Sequence, residues 1–320
     1  MMGAGMHQLA NKRLRILVWT VVAACLLPLQ KLAAETAETM LIRQVLEKDR
    51  SGRRRGDIEL TLSKYDEERF VHYAGGGLID PLGWRVQHED LASYSDALEN
   101  DLRTSRYDIQ RGATLISVRL DKAFVTTVDS GRVIDRASGA VRPLAVTRLW
   151  TFRKEEDEWL VTGLVDSLGY VAAGPYVGDT GVEEEVATVL KAEAEAWRDG
   201  SAGDVATHYD DEYVGYDAYH TIVPATWLIT FNDAEELEDW LDKRFSLTAY
   251  DVQREVLHVS KGATGVEAVA VTREKVAARY EKGTAVHSHE GFAFWTLSRR
   301  GGTWKVTNLV QKLLRPTSEK

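Results

Sequence analysis

Cysteine is almost missing from this sequence: Cys25 is the only one in 320 residues. That excludes a disulfide framework, a cysteine-built zinc site and a paired-thiol redox centre. Also missing is an uninterrupted apolar run of about 20 residues, the length a membrane-spanning helix needs. The amino-terminal apolar stretch, Ile16 to Leu29, is broken by Thr20 and Pro28. Basic charge is scarce after residue 34, where 36 Lys and Arg face 49 Asp and Glu, a balance of −13. Such an acidic chain lacks the positive footprint that nucleic acid or anionic lipid requires. Its one basic cluster, Arg53-Arg54-Arg55, reads as a solvated helix end. There is no G-x-S-x-G elbow, phosphate loop, H-E-x-x-H or dinucleotide glycine pattern, so nothing points to a cofactor.

What is present begins with a leader. Lys12, Arg13 and Arg15 precede the apolar stretch, and Leu32-Ala33-Ala34 offers small residues for cleavage before Glu35. Residues 1–34 therefore read as a secretion signal, which places the mature protein in the periplasm or outside the cell. An alternative is a lipid anchor, because Val22-Ala23-Ala24-Cys25 resembles a lipobox; Leu26 and Leu27, where small or polar residues are usual, speak against it. An uncleaved anchor is the third reading. The length predicts two domains, and 44% hydrophobic with 28% charged residues predicts folded ones.

Those two domains are copies. Tyr65-Asp66-Glu67-Glu68-Arg69-Phe70-Val71-His72-Tyr73 aligns with Tyr209-Asp210-Asp211-Glu212-Tyr213-Val214-Gly215-Tyr216, with one residue inserted. Tyr107-Asp108-Ile109-Gln110-Arg111 matches Tyr250-Asp251-Val252-Gln253-Arg254. Leu149–Val165 matches Phe294–Val310, sharing Trp150/Trp295, Thr151/Thr296, Trp159/Trp304, Val161/Val306 and Thr162/Thr307. The order is kept throughout, which marks an internal repeat. The predicted domains are 35–166 and 182–320, joined by a linker over 167–181.

In copy two, Val186, Val189, Leu190, Ala194 and Trp197 have helical spacing, and Gly200-Ser201 ends that helix. A short second helix, a strand at Tyr213–Tyr216 and a loop with Pro224 follow. Asn232 or Asp233 caps a third helix carrying Leu237, Trp240, Leu241 and Phe245. Alternating segments Tyr250–Ser260, Val266–Tyr280, Thr284–Arg299 and Thr303–Leu313 complete an antiparallel meander, with turns at Lys261-Gly262, Lys282-Gly283 and Gly301-Gly302. The expected class is α+β: in each copy, three helices packed on a curved antiparallel sheet.

The passages WRDGSAGDVATHYDDEYVGYD and FWTLSRRGGTWKVTNLV, the latter echoed by LWTFRKEEDEWLVTGLV, resemble the NTF2-like superfamily, particularly its SnoaL-like and ketosteroid-isomerase-like members. The resemblance covers both halves. It implies cone domains with a pocket between sheet and helices, a setting that hosts enzymes and plain binders alike. It also implies pairing through the outer sheet face, either within one chain as a pseudo-dimer or between chains as a homodimer. In the isomerase-like enzymes an Asp at the end of the first strand takes a proton beside a carbonyl, helped by a helix Tyr. Those positions fall on Tyr73 and Tyr216, and on Asp49 and Glu193, so that route is not expected here. Asp217 is adjacent, but one residue along a strand turns a side chain to the other face.

Several residues nevertheless point toward a site. Asp49 and Glu193 share the apolar helix faces of their copies, where a carboxylate could serve as acid or base with a raised pKa; the alternative places both at the edge, in water. His287 and His289 face the same way on one strand, with no counterpart in copy one, and read as polar lining rather than metal ligands. Tyr65, Tyr73 and Trp84 in copy one, and Tyr209, Tyr213, Tyr216 and Trp227 in copy two, are candidates to line the cones around a ligand or else to pack the core. The leading expectation is a non-catalytic binder of a small apolar or amphipathic ligand. One alternative is a SnoaL-like enzyme doing acid–base chemistry on a carbonyl compound with Glu193 and His289. Another is an envelope interaction module with filled cones. Copy two is the expected site.

Overall fold

The computed structural model describes residues 36–77, 81–168, 184–280 and 286–313, with backbone only at 82, 286 and 287. The expected leader, Cys25, positions 169–181 of the expected linker and the Lys282-Gly283 turn lie outside the described residues.

Copy one runs α1 (Ala37–Arg55), α2 (Ile58–Leu62), β1 (Val71–Ala74), a 3-10 turn (Pro81–Gly83), β2 (Arg85–His88) and α3 (Leu91–Thr104). Four strands finish it: β3 (Ser105–Arg119), β4 (Lys122–Asp135), β5 (Val141–Glu155) and β6 (Glu158–Leu168). Copy two repeats the order with α4 (Glu184–Asp199), α5 (Ala202–Ala206), β7 (Tyr209–Asp217), a 3-10 turn (Pro224–Thr226), β8 (Leu228–Phe231) and α6 (Ala234–Phe245). It ends on β9 (Thr248–Lys261), β10 (Glu267–Tyr280), β11 (Val286–Ser298) and β12 (Lys305–Leu313). Short polar side chains start the helices by satisfying first-turn amides. Asp90 accepts from Ser93 N at 2.7 Å, and Asp233, not Asn232, accepts from Glu236 N at 2.7 Å.

Each copy builds a six-stranded sheet, ordered β2-β1-β6-β5-β4-β3 and β8-β7-β12-β11-β10-β9. These sheets are mixed, which corrects the antiparallel reading: β1 lies parallel to β6, and β7 parallel to β12. The helices between first strand and meander carry the chain back, so the last strand returns alongside the first. The four-residue strands β2 and β8 went unseen because they are too short for alternation to register. Ser167 and Leu168 end β6 rather than opening a linker.

The sheets use their two faces differently. In copy two the concave face holds a core of Leu190, Tyr209, Tyr213, Leu241 and Trp295 beneath the helices. The opposite faces of both sheets share a single buried cluster, with Val71, Tyr73, Phe124 and Val165 meeting Val214, Tyr216, Phe294 and Val310. Trp84 and Trp227, at the ends of the two 3-10 turns, meet in it with ring centroids 6.2 Å apart. The polar edge of this seam is quasi-twofold, as in an isologous dimer. The residue before each α3 or α6 cap reaches the β-hairpin turn of the other copy. Asn232 Nδ2 donates to Asp121 at 2.6 Å, while Glu89 accepts from the amides of Val266 and Glu267, both at 3.1 Å, and from Thr264.

Candidate functional site

Strand alternation decides what faces each cone. On β1, His72 points under the helices, stacked on His88 at 5.4 Å and 4.9 Å from Tyr94, while Tyr73 points into the seam. On β7, Tyr216 joins the seam and Asp217 lines the cone. Tyr73, Trp84, Tyr216 and Trp227 are thus not cone lining, as the sequence suggested; they surround a separate cavity of about 520 Å³ between the sheets. Tyr65, 5.0 Å from Phe70, and Tyr209, 4.5 Å from Tyr213, are core packing.

Both cones contain the same polar unit at their floor. An arginine on the third strand of the copy (Arg111, Arg254) lies over a tryptophan ring (Trp150, Trp295) at 4.7 and 4.4 Å. The indole N–H donates to a threonine (Thr127, Thr272) at 2.9 Å in each. The arginine then joins two carboxylates. Arg111 donates to Asp49 at 2.9 Å and Asp129 at 2.6 Å; Arg254 donates to Glu274 at 2.6 Å and also to Glu193. Asp49 and Glu193 are therefore neither at a watery edge nor free bases. Burial alone would raise the pKa of Asp49, but Arg53 and Arg111 outweigh it and hold it below the usual carboxylate range. Glu193 additionally accepts from Tyr209 OH at 2.6 Å and Trp197 Nε1 at 2.8 Å, so both its oxygens are engaged.

Around this unit the copies differ. In cone one, Arg53 donates to Asp49 at 2.7 Å and to Tyr94 OH at 2.6 Å, and Arg148 donates to Asp129. All three of these side chains are buried, at 6%, 6% and 7% exposure for Arg53, Tyr94 and Arg148, so they fill the space. The equivalent positions in cone two are Trp197, Leu237 and Ala293. There a cavity of about 500 Å³ opens above Glu193, Arg254 and Glu274. Its walls include Trp197 and Trp240, 6.3 Å apart, and Tyr250, edge-on to Trp197 at 5.3 Å.

Further polar groups line this cavity. Lys312 donates to Asp217, and Arg119, from the β3–β4 hairpin of copy one, donates bidentately to Glu236 at the rim. His289 lines the wall half-buried, its pKa lowered by desolvation first and by the Lys312 charge next, which favours neutral imidazole. The strand backbone of His287 lies opposite Ala278 in β10, while its side chain is outside the described residues. Among the described residues no group of His, Cys, Asp and Glu is placed to hold a metal ion.

This architecture of three helices cupped in a curved six-stranded sheet, first strand parallel to last, occurs twice. Each half has the cone architecture that the sequence resemblance implied. Solved structures similar to the chain include a ketosteroid isomerase-like protein from Erwinia carotovora atroseptica (19% identity, TM-score 0.35), covering 41% of this chain and 95% of that one. An NTF2-like protein of unknown function from Shewanella baltica is 14% identical with TM-score 0.30, covering 40% of this chain and 91% of its own. Another from Pseudomonas putida is 18% identical with TM-score 0.31, covering 42% and 87%. No protein-family model matches the chain, and no curated protein matches it.

Of the expected polar groups, Glu193 and His289 both line the cavity of copy two. Sequence reasoning missed Arg254, Glu274, Tyr250 and Trp240. A signal existed for two of them: Tyr250 and Arg254 bound the Tyr-Asp-Val-Gln-Arg motif that copy one repeats, and a charged residue retained mid-strand in both copies marks a buried partner. Glu274 had no such mark, since its counterpart is an aspartate outside the matched segments.

Proposed function

We propose that this protein is a small-molecule-binding protein whose site is the cone of copy two, taking an amphipathic ligand of one or two rings, while copy one is structural support. The observation carrying this is the replacement of the buried Arg148 and Tyr94 of cone one by Ala293 and Leu237, where the 500 Å³ cavity lies. That volume and its mix of aromatic walls with a few convergent polar groups suit a drug-sized ligand. The basic-then-apolar leader supports action outside the cytoplasm. The test is native mass spectrometry of the full chain purified gently from its own host, beside an Ala293→Arg variant. A stoichiometric small molecule carried by the wild type and lost from the variant is the expected result. A molecule retained undiminished by the variant sits elsewhere and overturns the assignment.

A second reading is proton transfer on a carbonyl ligand, favoured by the neutral His289 and the cone-facing Asp217 in one cavity. Here the check is exchange of α-protons from a panel of ketones in D₂O, followed by proton NMR. Exchange no faster with wild type than with His289→Ala would remove this reading and leave plain binding.

A further inference from the structure

Cone two is short of one positive charge. In cone one Asp49 and Asp129 share Arg53, Arg111 and Arg148, and the nearby Asp166 makes the count even, three against three. In cone two Glu193 and Glu274 share only Arg254, because Trp197 and Ala293 stand where the other two arginines would be, and Gln311 replaces Asp166. The remaining formal charges of the cavity cancel, Lys312 against Asp217 and Arg119 against Glu236, and desolvation disfavours a charge on His289. Three cations therefore face four carboxylates around one aromatic-walled space.

The deficit has a definite place. Asp129 Oδ2 receives two donors, Arg111 at 2.7 Å and Arg148. The matching oxygen, Glu274 Oε2, receives only Arg254, at 3.3 Å, and it faces the cavity. What is absent at Glu274 is the donor that Arg148 supplies in copy one. The same cavity is walled by the rings of Trp197, Tyr250 and Trp240, the last already under the Arg244 guanidinium at 5.1 Å, and aromatic faces attract cations most strongly where water is excluded. Arg254 at 2.6 Å and the Thr272 hydroxyl at 2.7 Å hold the other oxygen of Glu274, so Oε2 is where a further cationic donor would offset the carboxylate charge that Arg254 must share with Glu193.

We infer that the ligand of cone two is a small organic cation with an apolar body, its amine, guanidinium or quaternary ammonium group lying at Glu274 where the Arg148 guanidinium lies in copy one. This rests on the reading of cone two as a binding site. It also gives the internal repeat a purpose: copy one carries its cation covalently, and copy two takes its own from solution.

The test uses isothermal titration of the full chain with three probes that share one naphthalene body: (2-naphthylmethyl)trimethylammonium, the neutral 2-naphthylmethanol and the anion 2-naphthoate. The cation is expected to bind about 10-fold or more tighter than the alcohol, with the anion weakest. Glu274→Gln is expected to bring the cation-to-alcohol ratio to within about 3-fold of one. Ala293→Arg, which supplies the missing guanidinium internally, is expected to abolish cation binding and raise the melting temperature. Equal binding of cation and alcohol by the wild type, or preference for the anion, overturns the charge assignment while leaving the pocket in place. Binding of none of the three, by wild type alone and without recourse to any variant, overturns the pocket reading and this inference with it.

Discussion

The two cones show how one fold can be closed or open by changing three side chains above a constant floor. Both keep the tryptophan, the threonine, the arginine and two carboxylates in one geometry. Cone one then builds upward with the buried Arg53, Tyr94 and Arg148, Arg53 donating to Tyr94 and Arg148 to Asp129. Cone two stops at Leu237 and Ala293 and leaves its space to something else. The lesson concerns redundancy. Every buried carboxylate of cone one has a spare arginine, whereas those of cone two depend on a single one.

Removing that single arginine should therefore have the largest effect. Arg254→Met strands Glu193 and Glu274, exposed by only 1% and 13% at their side chains, and should cost about 3–5 kcal/mol in urea denaturation. Arg111→Met leaves Asp49 with Arg53 and Asp129 with Arg148, so its loss should be about 1–2 kcal/mol. Equal losses in the two variants would show that the spare arginines do not compensate, and the contrast between cones would collapse.

The seam offers a smaller version of the same contrast. Glu89 accepts three backbone amides of the opposite hairpin; burial would raise its pKa, but the Thr264 side chain and those amides hold it down. Glu89→Ala leaves those donors without their anionic acceptor and should cost about 2–3 kcal/mol. Its counterpart Asn232→Ala loses the bond to Asp121 and a long one from Arg119 at 3.5 Å, and should cost about 1 kcal/mol. Thermal melts of the two variants compare them directly, and a reversed order would mean that the quasi-twofold seam is held from its other side.

The fold was legible because hydrophobic alternation over strands of 9 to 15 residues is hard to mistake, and because the chain states its pattern twice. Which face of the first strand meets the helices was not legible. His72 and Tyr73, or Tyr216 and Asp217, are neighbours of opposite destiny, and local sequence holds nothing that breaks the tie. It is broken by the opposing sheet: Phe294 of the second offers Trp84, and Phe124 of the first offers Tyr216, an apolar partner beyond the cone. Glu193 has the spacing of an apolar helix face, but the sequence left open whether it is a pocket acid or an edge residue in water, because the arginine that claims it lies 61 residues away.

A separate effect is expected with pH, and it arises where the copies diverge in charge. Lys122 opens β4 at the seam, and the same position in copy two is Glu267. Glu267 accepts from Ser298 at 2.9 Å and Arg300 at 2.8 Å, yet burial, reinforced by the nearby charge of Glu89, pushes its pKa from 4.5 up to about 7. In the window between those values the unfolded chain has released the proton and the folded protein still holds it. Stability must then fall as pH rises through the window, by up to about 1.4 kcal/mol per unit, and level off above it. Glu267→Gln keeps an oxygen for Ser298 and Arg300 but has no proton to lose, so its stability should not fall across this range. Subtracting the variant's urea-denaturation profile from the wild type's, between pH 5 and 8, isolates the contribution. A flat difference would mean that Arg300 keeps Glu267 ionised throughout and that the seam tolerates a buried pair as readily as the cones do.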